Sequence, residues 1–195
     1  MPPTTIRSQR LQRSGYRYDT SHNGSAVPWP SAIGLPATAI SPAIRHGIVE
    51  VPVTLIHDQA GSLRHFQICA LSIDEMRAAL DHAAANSHAA VTMVSHGFEL
   101  ATRCGTQANR VHRSRFDWLC AMLAERRSTM PTTHFADRPL LRFGQNDVPL
   151  GPDWLRTGRR QVEQLWSNLV EEKRSQSMAT VLNVVRFDQR LHRVF

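Results

Sequence analysis

The sequence predicts an α/β fold, and three stretches carry that expectation. The first is Ala89 to Leu100, AAVTMVSHGFEL, an apolar and β-branched run that stops at Ser95-His96-Gly97-Phe98-Glu99. A bounded run of this kind suits a strand covered on both faces, as in a parallel sheet, and such sheets hold their chemistry beyond the carboxyl ends of the strands. The second is Ile48 to Ile56, IVEVPVTLI, in which Val49, Val51, Val53 and Leu55 share one face by period two. Between them, Ser72-Ile73-Asp74-Glu75 has the pattern of a capping box, with the Ser72 hydroxyl accepting from Glu75 N–H and the Glu75 carboxylate reaching back. The order is strand, helix, strand.

Taken along the chain, residues 1 to 14 are polar and basic and allow at most a short helix through Ile6 and Leu11, stopped by Gly15. Tyr16 to Ser21 is a short strand candidate. From His22 to Gly47, prolines at 28, 30, 36 and 42 and glycines at 24, 34 and 47 predict a long irregular loop, either a cover over a site or a packed segment. Pro52 removes a ladder donor from the 48–56 strand and places it at an edge or a bulge. Asp58 to Gly61 forms a turn, and Arg64 to Leu71 a further short strand. The capped helix runs to about Asn86 with Ile73, Met76, Leu80 and Ala83 facing inward.

Beyond Glu99 a helix is predicted from about Gln107 to Arg126, with Phe116, Leu119, Cys120 and Leu123 on its core side. Residues 128 to 152 read as loop. Asp153 to Lys173 reads as an amphipathic helix offering Leu155, Val162, Leu165, Trp166 and Leu169 to a core, and Met178 to Phe187 as a terminal strand.

Composition bounds the function. At 195 residues and 42% apolar content the chain supports one packed domain, and its formal charge of +7 favours anionic partners. Cys69, Cys104 and Cys120 form no CxxC pair, and ten histidines show no HExxH or HxxxH spacing, so neither a disulfide framework nor a metal site is read from this chain. The N-terminus lacks the apolar segment of a secretory signal and no 18-residue apolar run exists, so a cytoplasmic protein with no membrane span is expected. Arg103, Arg110, His112, Arg113 and Arg115 form either a solvated helix face or a grip for phosphates or uronates.

Four pieces in order carry a family resemblance. Gly15-Tyr16-Arg17-Tyr18-Asp19-Thr20-Ser21 is similar to a "GxxYDSS" strand, and Gly47-Ile48-Val49-Glu50-Val51-Pro52-Val53-Thr54 resembles an "xxEiPv" strand. The helix from Ile73 and the ending Ser95-His96-Gly97-Phe98-Glu99 resemble the last helix and last strand that follow them. Together they resemble the C-terminal part of a polysaccharide deacetylase of the NodB-like carbohydrate esterase type, over roughly residues 11 to 125. The resemblance implies a partial (β/α) barrel through residue 127, followed by a loop and helical extension over residues 128–195.

It also implies removal of acetyl groups from a glycan by a metal-activated water, with a late histidine as general acid, and His96 matches that histidine. Phe98 is implied as pocket wall or core, Glu99 as an orienting group, and Asp19 as a residue touching the site or merely capping a turn. Trp29, between Pro28 and Pro30, is implied either to stack on a sugar or to plug the barrel mouth. The family's Asp pair and metal-binding histidines precede its "YDSS" strand, whereas here 15 residues precede Tyr16 and no "TFDD"-like sequence occurs. No cofactor is therefore expected in this chain. A divalent metal such as zinc is expected only where the missing N-terminal half is supplied, for instance by a second chain that completes the barrel. The expected partner is a glycan rather than nucleic acid, and the chain alone is expected to be inactive. The alternative is a non-catalytic basic module that binds an acidic polymer, glycan or nucleic acid.

Overall fold

The computed structural model describes residues 3–26, 33–102, 105 and 107–171. Helix α1 spans Pro3–Arg13 and ends at Gly15, whose φ of 80° lies in the left-handed region. Strand β1, Tyr18–Asp19, pairs in parallel with β3, Ile48–Glu50, and β3 pairs on its other side with the antiparallel β2, Ala43–Arg45. In register, Tyr18 lies opposite Val49 and Asp19 opposite Glu50. Strands β4, Leu55–His57, and β5, Leu63–His65, form a separate antiparallel pair closed by a 3₁₀ turn over Gln59–Gly61 that Asp58 caps. No closed barrel forms among the described residues.

The single strand expected over 48–56 is thus two, and Pro52 explains the division. Val49, Val51 and Val53 all donate to the β1 side, to the carbonyls of Arg17, Asp19 and His22. On the opposite side β2 ends at Glu50, Pro52 has no N–H, and Thr54 then donates to Thr92. The proline marks the point where that side of the chain changes partner.

The capping box forms as read. Ser72 Oγ accepts from Glu75 N at 3.2 Å, Glu75 Oε2 accepts from Ser72 N at 2.9 Å, and helix α2 runs Ile73–Ala85. Met76, Ala79, Leu80 and Ala83 are its buried face. Met76, Ala79 and Leu80 meet Ile56, Phe66, Leu71, Leu119 and Met122 in the main core, with Ile73, Val91 and Trp118 packed at the margin. Helix α3, Arg110–Glu125, is capped by Asn109 and buries Arg115, Leu119 and Met122. Cys120, expected inward, is exposed.

Two further expectations are corrected. The 89–100 run is not a buried strand: it makes one parallel bridge, Val94 to Gln67, and most of it is half-buried or exposed. Its backbone is held by Thr54 N–H to Thr92 O and Val94 N–H to Phe66 O, and β-branched content without further partners gives extended chain rather than sheet.

The second correction concerns helix α4, Trp154–Trp166, which continues into a π-helical turn over Ser167–Glu171. It buries Thr157, Arg160 and Ser167, while Leu155, Val162, Leu165, Trp166 and Leu169 are all exposed. Its polar side docks because partners wait there: Arg160 Nε donates to Glu75 Oε1 at 3.0 Å, and Asn109 Nδ2 donates to Ser167 Oγ at 3.0 Å. Met178 to Phe187, expected as a terminal strand, lies outside the described residues.

Candidate functional site

His96 stands at the end of the extended 89–96 segment, where the chain turns into a 3₁₀ helix over Gly97–Leu100. Its backbone N–H donates to Glu99 Oε1 at 3.0 Å, which closes the turn. The imidazole is left outside: His96 is exposed, and its ring stacks on Phe98 at 5.1 Å between centroids with 4° between planes. Phe98 is 75% exposed, so it presents an open aromatic face rather than a pocket wall. His112 Nδ1–H donates to the Glu99 carbonyl at 2.7 Å and ties the turn to α3.

Glu99 is 5% exposed and ends a chain of polar side chains. Gln67 Nε2 donates to Glu99 Oε1, His65 Nε2 meets Gln67 Oε1, and Ser25 Oγ lies 2.8 Å from His65 Nδ1. The direction follows from donor chemistry. An ionised carboxylate only accepts, so the Gln67 amide nitrogen faces Glu99 and its oxygen faces His65. His65 then donates from Nε2, and its Nδ1 lies beside a Ser25 hydroxyl whose single proton is directed to Asn23 Oδ1. Asn23 Oδ1 holds the serine from the other side, 2.7 Å from Oγ and 3.1 Å from N. Gly24 makes this turn possible, because a Cβ there would stand 1.6 Å from the Ala37 carbonyl oxygen.

The same carboxylate acts on Cys69. Burial, then the Glu99 charge and a hydrogen bond to Glu99, push the thiol up to about 11. Such a thiol is a packing group rather than a nucleophile.

The other expected residues are not gathered here. Asp19 Oδ2 accepts from Ser21 Oγ at 2.9 Å within the β1 turn. Trp29 lies outside the described residues, as does Arg103. The basic cluster does not converge: Arg115 is 1% exposed, ion-paired to Glu163 at 2.7 Å and bonded to the Ile68 and Cys69 carbonyls, so it is a structural cation. Arg113 makes an exposed pair with Asp117 at 3.7 Å. A cavity of about 580 Å³ lies elsewhere, between Pro36, Ile40 and His57 on one side and Phe143, Asp147 and Val148 on the other.

Ser25, His65 and Gln67 escaped the sequence reading. The available signal was the alternation in Arg64-His65-Phe66-Gln67, which puts His65 and Gln67 on one face with Phe66 in the core. Among the described residues no group of three His, Cys, Asp or Glu side chains is placed to hold a metal ion. The metal ligands that the resemblance implies precede its "YDSS" strand, and the described residues supply no chemical step through a metal. Among the same residues no helix is long and apolar enough to cross a membrane.

No protein-family model matches the chain, and neither a curated protein nor a solved structure matches it.

Proposed function

We propose that this is a polysaccharide deacetylase-like chain that faces an acetylated glycan and does not hydrolyse it alone. The observation that carries the reading is the stacked pair His96 and Phe98, held out to solvent by the buried Glu99. An open aromatic face is the surface on which a sugar ring stacks its C–H groups. An accessible imidazole beside it sits where it can give a proton to a departing amine or alcohol. The reading also rests on the ordered motifs around Tyr18-Asp19, Glu50-Val51-Pro52 and Ser95 to Glu99. Water activation has to be supplied by groups other than the described ones, so the role of this chain is to bind the glycan and furnish the acid.

The test is calorimetric titration with N-acetylated glucosamine oligomers of increasing length. Binding is expected for the native chain, with a loss of several-fold to about tenfold in Phe98→Ala, as an aromatic contact contributes about 0.5–1.5 kcal/mol beyond the area it buries. A Phe98→Ala chain that binds as well as the native one contradicts the reading.

A further inference from the structure

The cavity of about 580 Å³ shares no lining residue with the His96–Phe98 turn, and its size falls within the range of about 300–1,000 Å³ that holds one small organic ligand. Its walls come from the 35–45 and 143–149 segments, together with His57 of β4. Both walls are fixed in place. Asp147 N–H donates to Ser41 Oγ at 2.9 Å, His57 N–H donates to the Leu150 carbonyl at 2.8 Å, and Arg142 donates to the Ser87 carbonyl at 2.6 Å. Ile40 lines the cavity as a buried residue, whereas Ile44, Phe143 and Val148 line it while 59%, 43% and 51% exposed. Three large apolar side chains left in water around one opening form a surface that the apolar body of a ligand covers.

Uncommitted donors stand beside that surface. Strand β2 is outermost in its sheet, and Val49 N–H is spent on the Arg17 carbonyl, so Ile44 and Val49 are a non-hydrogen-bonded pair of the β2–β3 ladder. Ile44 N–H therefore points away from β3 to the open edge, where it has no partner among the described residues. Arg45 is exposed and lines the cavity, and among those residues neither its guanidinium nor the His57 ring makes an ion pair or a side-chain hydrogen bond. The Asp147 carboxylate of the lining is already engaged, with Oδ2 accepting from Ala89 N–H at 3.0 Å. We propose that this cavity binds a small amphipathic carboxylate, its apolar body against Ile40, Ile44, Phe143 and Val148 and its anion on Ile44 N–H and Arg45. A peptide strand added to β2 suits the edge less well. Pro42 has no N–H and His46 turns into the left-handed region at a φ of 49°, which leaves Ile44 alone to pair.

The probe is decanoate, titrated calorimetrically into the full-length chain below its micelle-forming concentration, beside decan-1-ol and decyltrimethylammonium. Saturable binding of decanoate is expected, with decan-1-ol several-fold weaker and the cation weaker still. Arg45→Gln is expected to weaken decanoate several-fold and to leave decan-1-ol unchanged, a difference that misfolding does not produce. Val148→Asp and Ile44→Asp, both at exposed positions, are each expected to abolish decanoate binding while keeping a cooperative thermal unfolding transition. Leu165→Asp, on the exposed side of α4, is expected to leave binding intact. The proposal is overturned if decanoate does not bind, if the cation binds as tightly, or if Arg45→Gln affects decanoate and decan-1-ol alike. Loss of binding in Leu165→Asp with retention in Val148→Asp and Ile44→Asp places the ligand on α4 and overturns it too. So does displacement of decanoate by an uncharged, end-blocked peptide of alternating valine and threonine, which places a strand on β2.

Discussion

Arg160 Nε donates to Glu75 Oε1 at 3.0 Å, and both side chains are almost fully withdrawn from water, at 7% and 3% exposure. Glu75 is also the reaching arm of the α2 capping box, so one carboxylate starts that helix and anchors α4 to it. Asp58 accepts from the same guanidinium at 3.3 Å, and also pairs with Arg64. The cation is thereby shared between the α2 start and the β4–β5 turn.

Removing one partner of such a pair leaves a buried charge without compensation. Glu75→Ala and Arg160→Ala are each expected to lower stability by about 3–5 kcal/mol in urea unfolding. The Glu75→Ala/Arg160→Ala double variant is expected to lose less than the two single losses added together. Additive losses would show that the two groups do not interact.

Gly24→Ala is expected to destabilise by at least about 1–3 kcal/mol, the range for forcing atoms into a packed site. The new Cβ meets the Ala37 backbone, which cannot rotate away as a side chain would. The same substitution shifts Ser25 relative to His65. Gly144→Ala, by contrast, meets no neighbour within 4 Å, so its cost comes only from a φ of 72°. Thermal unfolding of the two variants beside the native chain reads the difference.

The two described cysteines are expected to differ in reactivity. Cys120 is exposed, whereas the Cys69 thiol is pushed up to about 11 and only a small fraction is thiolate at pH 8. Iodoacetamide followed by peptide mass mapping is expected to find Cys120 alkylated well before Cys69. Glu99→Gln, which removes the adjacent negative charge, is expected to speed the labelling of Cys69.

Stability is expected to fall on mild acidification. Burial depresses the His22 ring despite the hydrogen bond it donates to the Pro36 carbonyl at 3.0 Å, and burial likewise depresses His88. A histidine whose folded pKa lies below its unfolded value takes up its proton more readily in the unfolded chain. The native state therefore keeps its full stability above about pH 6.5 and loses part of it as pH falls below that value toward the folded pKa. Urea midpoints at pH 7.5 and 5.5 measure the loss, and His22→Gln is expected to reduce it. An unchanged pH dependence in His22→Gln would assign the effect to other groups.

Sequence legibility followed the range of the forces involved. The capping box at Ser72 is written in four consecutive residues, and α2 appears with its start and inward face as read. Pro52 marked the right position because a missing N–H is a local fact, but which strand changed partner there depended on β2 and Thr92. The face that α4 buries was not legible. Periodicity finds the apolar stripe, yet the helix is docked by Asp58, Glu75 and Asn109, which lie far away in the chain. At the candidate site His96 and Glu99 were found from the end of an apolar run. Ser25 and His65 were not, because 40 residues separate two groups that stand 2.8 Å apart.

The most direct test of the central claim places an N-acetylated glucosamine oligomer with the purified chain and follows binding and released acetate in the same sample, with and without added zinc. Binding that depends on Phe98 is expected, with no acetate in either condition. Zinc-dependent release of acetate that disappears in His96→Ala would contradict it, as would the absence of any binding.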